Sequence, residues 1–454
     1  MSRGRSPTVL ARMWRWACLL LALGCDRPRA VAGPDLPATA DGTREAARPI
    51  ELLTWWGPVG QSNPTEALIA VHRSMYPRDV IVNAKTIFAS EARRTTRMQL
   101  ESGDPPDVFQ STIGKDHMQW VLTNGVDDRA AKIRAIDGLI DDVPSWRKVI
   151  PPWLLGKMSF AGRLYGVPAT VHRVNAVFYN KDVLRQNGLA VPSSIEDLEG
   201  AGEKLRAAGI PLFAIGSREP WLAHVVFEDL LVAREGPQFY ESYFRGKELV
   251  DDPRIVETLR AALRLLRYRG AELAPVDPTR LTWIEAAQQV AKGEAAATVT
   301  GDWAEVLFAP DGLGEGDAVV EAAFPGTEET LVATVDTFSI PVAAKNLEGA
   351  KRLIATIGSE QGQRILSKVK GGLSPRSDVS ATLPGAMKRK KFELLREGRM
   401  VLGLSALLPP RFRDDVNWAL LEMVKQDDIE PVMQTLRSRY RLLSAPADAE
   451  SRPF

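Results

Sequence analysis

The 454-residue chain is poor in the residues that build metal and redox chemistry. It holds two cysteines and four histidines. Two cysteines cannot make a disulfide framework. The histidines, at 72, 117, 172 and 224, stand too far apart in sequence to suggest a metal site. Charge of one sign is lacking too. Lys and Arg number 58 against 57 Asp and Glu, which leaves no electrostatic footprint for nucleic acid. No G-x-x-x-x-G-K-[ST], no H-E-x-x-H and no G-x-S-x-G occurs. The GLGEG at 312–316 sits in an acidic loop and opens no helix after a strand, so it is weak as a dinucleotide signal. These absences predict no cofactor, no metal and no catalytic nucleophile. A carboxylate pair for glycoside hydrolysis stays open, because separation in space is not written in a sequence.

Apolar runs long enough to span a bilayer are also missing. Arg3, Arg5, Arg12 and Arg15 precede a short apolar run from Trp16 to Leu23. This is a charged leader with a hydrophobic segment too short for a mature membrane helix. The run stops at Gly24-Cys25, and Leu21-Ala22-Leu23-Gly24-Cys25 resembles a bacterial lipobox. Residues 1–24 are therefore expected to be a signal peptide, with Cys25 lipidated. Ordinary secretory cleavage is the other reading. Residues 25–48 are rich in Pro, Ala, Asp and Arg without apolar periodicity, and read as a tether.

Beyond the tether, strand and helix signals alternate. IELLTWW (50–56), VIVNAK (80–85) and PPDVFQS (105–111) read as strands, with helical spacing over 64–75 and 90–101 between them. That order predicts βαβ units and a mostly parallel sheet. Downstream, AVFYN (176–180), PLFAIGS (211–217), AAATVTGDW (295–303) and VATVDTFSIPV (332–342) read as further strands. Ser193 with Glu196 suggests a capping box for a helix to Ala208. Residues 221–270 are helix-rich, 346–370 suggest two helices broken near Gly358-Ser359, and 385–442 suggest helices interrupted at Pro409-Pro410. The expected fold is α/β in two lobes with a helical C-terminal region. The basic run 387–391 (MKRKK) reads as a solvated helix start.

Tryptophan is what the sequence has in plenty: eleven in all. Several close predicted strands, where α/β sheets place ligand sites. Trp55 and Trp56 close the first strand, Trp221 follows SREP, and Trp303 ends TGDW. An aromatic face suits a sugar ring, whose axial C–H groups are apolar and whose rim is all hydroxyl; polar side chains should ring it.

Seven segments then align in order: TWW, SGDPPDVFQ, GVPATVHRVNAVFYNK, PWLAHVVFE, TGDWAEVLF, VDTF and KGGLSPRSDV. Together they resemble the extracellular solute-binding proteins of bacterial ABC sugar importers, and most closely the glucose/mannose-type branch. The resemblance covers most of 50–380. It implies the two-lobe periplasmic-binding-protein fold (type II-like) with hinge crossovers, closing on a ligand. It implies sugar contacts from Trp55, Trp56, Gln61, Gln110, Trp221, Trp303, Asp336 and Lys370, with Glu219 and Arg173 beside them. HRVN (172–175) itself reads as a structural crossover. The sequence departs from the branch at Gln61, where a glutamate is usual, and at Thr112 and Thr334. Gly403-Leu404-Ser405 stands where a histidine is expected.

The resulting expectation is a non-catalytic, lipid-anchored, periplasmic or extracytoplasmic monomer that delivers a mono- or oligosaccharide to the transmembrane subunits of an ABC permease. Nucleic acid is not an expected partner, and the lipid is the only expected membrane contact. Residues 49–170 with 337–374 would form one lobe, and 171–336 with 375–448 the other. A carbohydrate hydrolase and a sensory binding protein docking on a receptor are the alternatives.

Overall fold

Apolar runs bounded by proline and glycine form the strands. Those of the two larger sheets are, in chain order, β1 (Ile50–Thr54), β2 (Ile81–Lys85), β3 (Val108–Thr112), β4 (Val167–Arg173), β5 (Ala176–Asn180), β6 (Ala297–Thr300), β7 (Val319–Ala323), β8 (Leu331–Ser339) and β9 (Met400–Leu402); Ser159–Phe160 and Arg163–Leu164 pair as a separate small hairpin. The structure is a computed structural model. It describes residues 48–59, 62–85, 89–122, 130–216, 218–219, 221–268, 281–308 and 318–443. These belong to one unit, Ala47–Phe454. The leader, Cys25 and Gln61 lie outside the described residues.

The first sheet runs β9-β8-β3-β1-β2, with β4 on β8. β1 pairs in parallel with β2 and β3, as the βαβ reading predicts. β8 runs against both β3 and β4. The second sheet, β6-β5-β7, is antiparallel at both pairings. The first sheet is thus mixed and the second antiparallel, rather than mostly parallel. The reason lies in β8, which enters the first sheet directly from the second part of the chain and not through a helical crossover on its face.

The helix Pro64–Met75 starts where Asn63 accepts the Glu66 N–H and Pro64 fills the first turn; it buries Leu68, Ile69 and His72. The predicted helix pair over 346–370 is present as Leu347–Gly358 and Glu360–Val369. Three local readings need correction. The capping box is Ser194 with Asp197, one residue along, because Asp197 reaches back to the Ser194 N–H. Of residues 211–217, the described ones (211–216) build no ladder; a single parallel bridge joins Phe213 to Ala297. Met400–Leu402 is a strand within the region read as helical, because it pairs with distant Leu331–Ala333.

Two principal cores result. One gathers Leu52, Val108, Val335, Leu353 and Ile354 around the first sheet. The other gathers Val177, Phe213, Leu230, Leu259 and Leu420 around the second. The chain passes between them at Val171–Val174, at Phe324–Leu331 and again around Leu402–Leu408. Asn175 ties two of these passages. Its amide donates to Thr327 Oγ1 (2.8 Å) and to the Thr330 carbonyl (2.9 Å), and its Oδ1 accepts the Val332 N–H (2.9 Å).

Candidate functional site

A cavity of about 190 Å³ opens between the two cores, walled by Trp55, Trp56, Trp221, Trp283 and Trp303. Each wall is held by local chemistry. Thr54 Oγ1 accepts the Trp56 N–H (3.1 Å) and donates to Gln110 Oε1, which also accepts the Trp55 N–H (3.3 Å). Gln110 therefore fixes the turn that presents both rings after β1. The Trp56 indole N–H donates to Asp336 Oδ2 (3.0 Å), and Thr170 Oγ1 donates to the same oxygen (3.1 Å). The β4–β8 register shifts between Asp336 and Thr337. Such a bulge re-aims a side chain beside a site, and Asp336 lines the cavity here.

Trp303 follows β6 on a short 3-10 turn, Asp302–Ala304. Gly301 makes room for it: a Cβ there would lie 2.0 Å from the ring. Trp303 meets His172, Trp221 and Trp283 edge-on, with centroids 5.4, 5.5 and 6.5 Å apart. Lys370 Nζ lies 5.6 Å from the Trp303 centroid, within cation–π range. Burial lowers the Lys370 pKa, while Asp336 and Asp302 oppose that fall. Gly371 and Gly372 follow with φ near +74° and +73°. A Cβ on Gly372 would come within 2.6 Å of His172 Nδ1, so glycine lets this loop close on the cavity wall.

Behind Trp303 runs a buried chain of charges. His172 Nδ1 meets Asp302 Oδ1 at 2.8 Å, Asp302 Oδ2 meets Lys391 Nζ at 2.7 Å, and Lys391 reaches Glu321 at 3.2 Å. Burial pushes the Asp302 carboxyl upward, but Lys391 and His172 outweigh it and hold the group well below the carboxylate range. Burial likewise lowers Lys391, and its acidic neighbours more than reverse this. The run 387–391 is thus not a solvated helix start throughout. Lys388 is buried against Glu305 (3.0 Å) and Lys391 is 1% exposed. Their acidic partners come from distant segments that a local charge count cannot reveal.

A second buried polar group lines the cavity from the helix Leu222–Phe244. Glu228 Oε2 accepts the Leu404 N–H (2.8 Å) and the Tyr240 hydroxyl (3.0 Å). His224 Nδ1 lies 2.6 Å from Asn417 Oδ1, and its Nε2 lies 3.7 Å from Glu228 Oε1. Burial pushes Glu228 up to about 7, against the Leu404 and Tyr240 hydrogen bonds. Burial pushes His224 down to about 4, against the Asn417 hydrogen bond.

Seven residues singled out in the sequence line this one cavity: Trp55, Trp56, Glu219, Trp221, Trp303, Asp336 and Lys370. Glu219 accepts the Trp221 indole N–H (2.8 Å), and burial raises its pKa. Gln110 stands behind the Trp55–Trp56 turn and is not among the lining residues. Arg173 is 1% exposed and also stands behind the wall, its Nη1 3.2 Å from Met387 Sδ. Burial lowers its pKa, and Glu321, Asp302 and Asp229 oppose that fall. The departures at Thr112, Thr334, Gly403 and Ser405 all face the cavity. Trp283, His172, His224, Glu228 and Arg93 are lining residues that the sequence reading missed. Arg93 lies 4.9 Å over the Trp55 ring and pairs with Asp116 at 3.3 Å.

The mixed α/β fold with two cores thus brings its tryptophans to one ring-sized cavity between them. The family model described as bacterial extracellular solute-binding protein matches residues 82–364, and the chain belongs to that family. The family is one of extracellular binding proteins rather than enzymes. An ABC transporter extracellular-binding protein of Pyrococcus horikoshii is 28% identical over 420 residues, covering 90% of each chain. A xylose/arabinose-binding protein of Haloferax volcanii is 24% identical, covering 73% of this chain and 70% of its own. Among solved structures, a chitin oligosaccharide binding protein superposes with a TM-score of 0.71 at 17% identity, covering 89% of this chain and 99% of its own.

Proposed function

We propose that this protein captures a sugar in the tryptophan-walled cavity and delivers it to the membrane subunits of an ABC importer. The observation that carries the reading is the convergence of five indole rings with Asp336 and Lys370 on one cavity. Indole faces suit the apolar side of a pyranose, and the polar pair suits its hydroxyls. Asp336 Oδ2 is held by Trp56 and Thr170, so the carboxylate is fixed before a ligand arrives. Pre-organisation of that kind reduces the ordering cost of binding. The volume suits one ring, being close to the ~150 Å³ of an apolar cavity that takes benzene. The names of the relatives, a xylose/arabinose-binding and a glucose-binding protein among them, support the sugar class, and the second of these is in keeping with the glucose/mannose-type branch.

Delivery follows from two conformations. Residues 49–170 with 337–374 would move as one lobe, and 171–336 with 375–448 as the other. Closure on the ligand gives a permease two states to distinguish. Lipidated Cys25 would hold the protein at the membrane face, and the chain acts as a monomer without catalysis.

A thermal-shift panel of mono- and disaccharides tests the proposal. A cognate sugar at 100 times its Kd adds about 2.7 kcal/mol of stability, and it should be recovered unmodified. A panel in which no sugar shifts the transition overturns the sugar reading, and steady product formation overturns the non-catalytic one. For the anchor, Cys25→Ser should release the protein from membranes in a bacterial host; unchanged association contradicts it.

A further inference from the structure

The helix Leu222–Phe244 brings His224 and Glu228 to one face, four residues apart, and both line the cavity. Their hydrogen bonds leave a particular pattern. Glu228 Oε2 is occupied by Leu404 N–H and Tyr240 OH. Asn417 Oδ1 takes the His224 Nδ1 proton, so the tautomer assigned from this contact leaves Nε2 as a bare lone pair. Glu228 Oε1 and His224 Nε2 are then two acceptors 3.7 Å apart, and no hydrogen bond reaches either one among the described residues.

A single hydroxyl has one hydrogen and can serve only one of these acceptors, so a neutral sugar needs two hydroxyls to serve both. A primary amine or ammonium has at least two. A single nitrogen can reach both atoms with hydrogen bonds of about 2.8–3.0 Å. Asp229 sits next in the chain, buried with both carboxyl oxygens unpartnered; burial and Glu228 raise its pKa, so the acceptor offered to a ligand at the cavity wall is Glu228. Among the described residues no lysine or arginine forms an ion pair with Glu228 or Asp229. Arg173, Arg413 and Arg93 act here only at a distance. The aromatic walls add a favourable field for a cation.

We propose that the ligand is a sugar carrying a primary amine, with its nitrogen held between Glu228 Oε1 and His224 Nε2. This inference rests on the reading of the cavity as a sugar site and names the class of sugar. It is tested by calorimetric titration of the full mature chain at pH 7.5. The probes are glucosamine, galactosamine and mannosamine, each against its hydroxyl parent. The wild type is compared with Glu228→Gln and with His224→Gln, folding being checked by circular dichroism. At least one amino sugar is expected to bind tenfold or more tightly than its parent. In each variant that ratio should collapse to within about threefold of one. Parents binding as tightly as amino sugars in the wild type overturn the amine assignment and leave the sugar reading standing. A preference that survives both variants overturns the placement at Glu228 and His224. If no probe of either kind binds, the amine assignment falls together with the reading beneath it.

Discussion

Behind Trp303, the Asp302 carboxylate touches Lys391 at 2.7 Å and His172 at 2.8 Å, and Glu321 shares the same lysine. On the His224 side of the cavity, Glu228 and Asp229 lie side by side with no lysine or arginine in contact among the described residues. Both clusters are buried, yet they are built in opposite ways. The first satisfies its charges internally and so supports the wall that carries Trp303. The second is left with acceptors to spare, and burial holds its carboxyls up instead of a cation holding them down. A buried charge that is already paired is scaffolding; a carboxyl left without a cation at a cavity wall, as Glu228 is, is available to a ligand.

Breaking the paired cluster should have the largest effect. Lys391→Met leaves Asp302 and Glu321 buried without their cation. Removing one partner of a buried pair costs about 3–5 kcal/mol, and urea unfolding at pH 7.5 should show a loss of that order. The unpaired cluster should respond differently. The folded-state pKa of Glu228 is raised to about 7 from an ordinary 4.5. The folded protein therefore holds a proton that the unfolded chain has lost, and stability falls as pH rises from 4.5 to 7. Asp229 and His224 on the same helix, Tyr240 beyond the break at Gly236 and the Leu404 N–H surround this group, and Arg173 acts on Asp229 from a distance. Glu228→Gln removes the titration while keeping an oxygen for Leu404 and Tyr240. Relative to wild type, the variant should gain on the order of 3 kcal/mol between pH 5 and pH 8.5. Equal stability differences at the two pH values would contradict the contrast.

Ligand contacts come next in size. Asp336→Ala should cost roughly tenfold or more in sugar affinity, since it removes a charged acceptor worth about 1.5–3 kcal/mol. It also releases Trp56 and Thr170 from their shared oxygen. Trp303→Ala should cost at least as much, because it removes a stacking face and opens a void next to His172 and Trp221. The smallest effect is expected for Trp303→Phe, which keeps a ring face and should stay within a few-fold of wild type. Calorimetry on the three variants ranks them.

Much of the site is legible in the sequence. The strand-end tryptophans and the VDTF and KGG segments do meet at one cavity, because strand ends converge and each motif carries its own local geometry. His224 and Glu228 were missed although a signal existed: two ionisable residues at i, i+4 inside the apolar run WLAHVVFEDLLV are costly unless the site uses them. Trp283 gave less warning, as it opens a helix capped by Thr282 and Glu285 rather than closing a strand. The burial of Lys391 was not readable, because Asp302 and Glu321 are supplied from 89 and 70 residues away. Gln110, expected as a contact, holds the Trp55–Trp56 turn with its carbonyl, while its Nε2 has no partner among the described residues.

The claim that the cavity is a sugar site is tested most directly by titrating purified protein with hexoses and pentoses, neutral and amino forms alike, in a calorimeter, with Trp303→Ala alongside. The account predicts saturable binding at one site per chain for at least one of them, weakened tenfold or more in the variant. A sugar that binds both proteins equally, or a panel in which nothing binds, would contradict it.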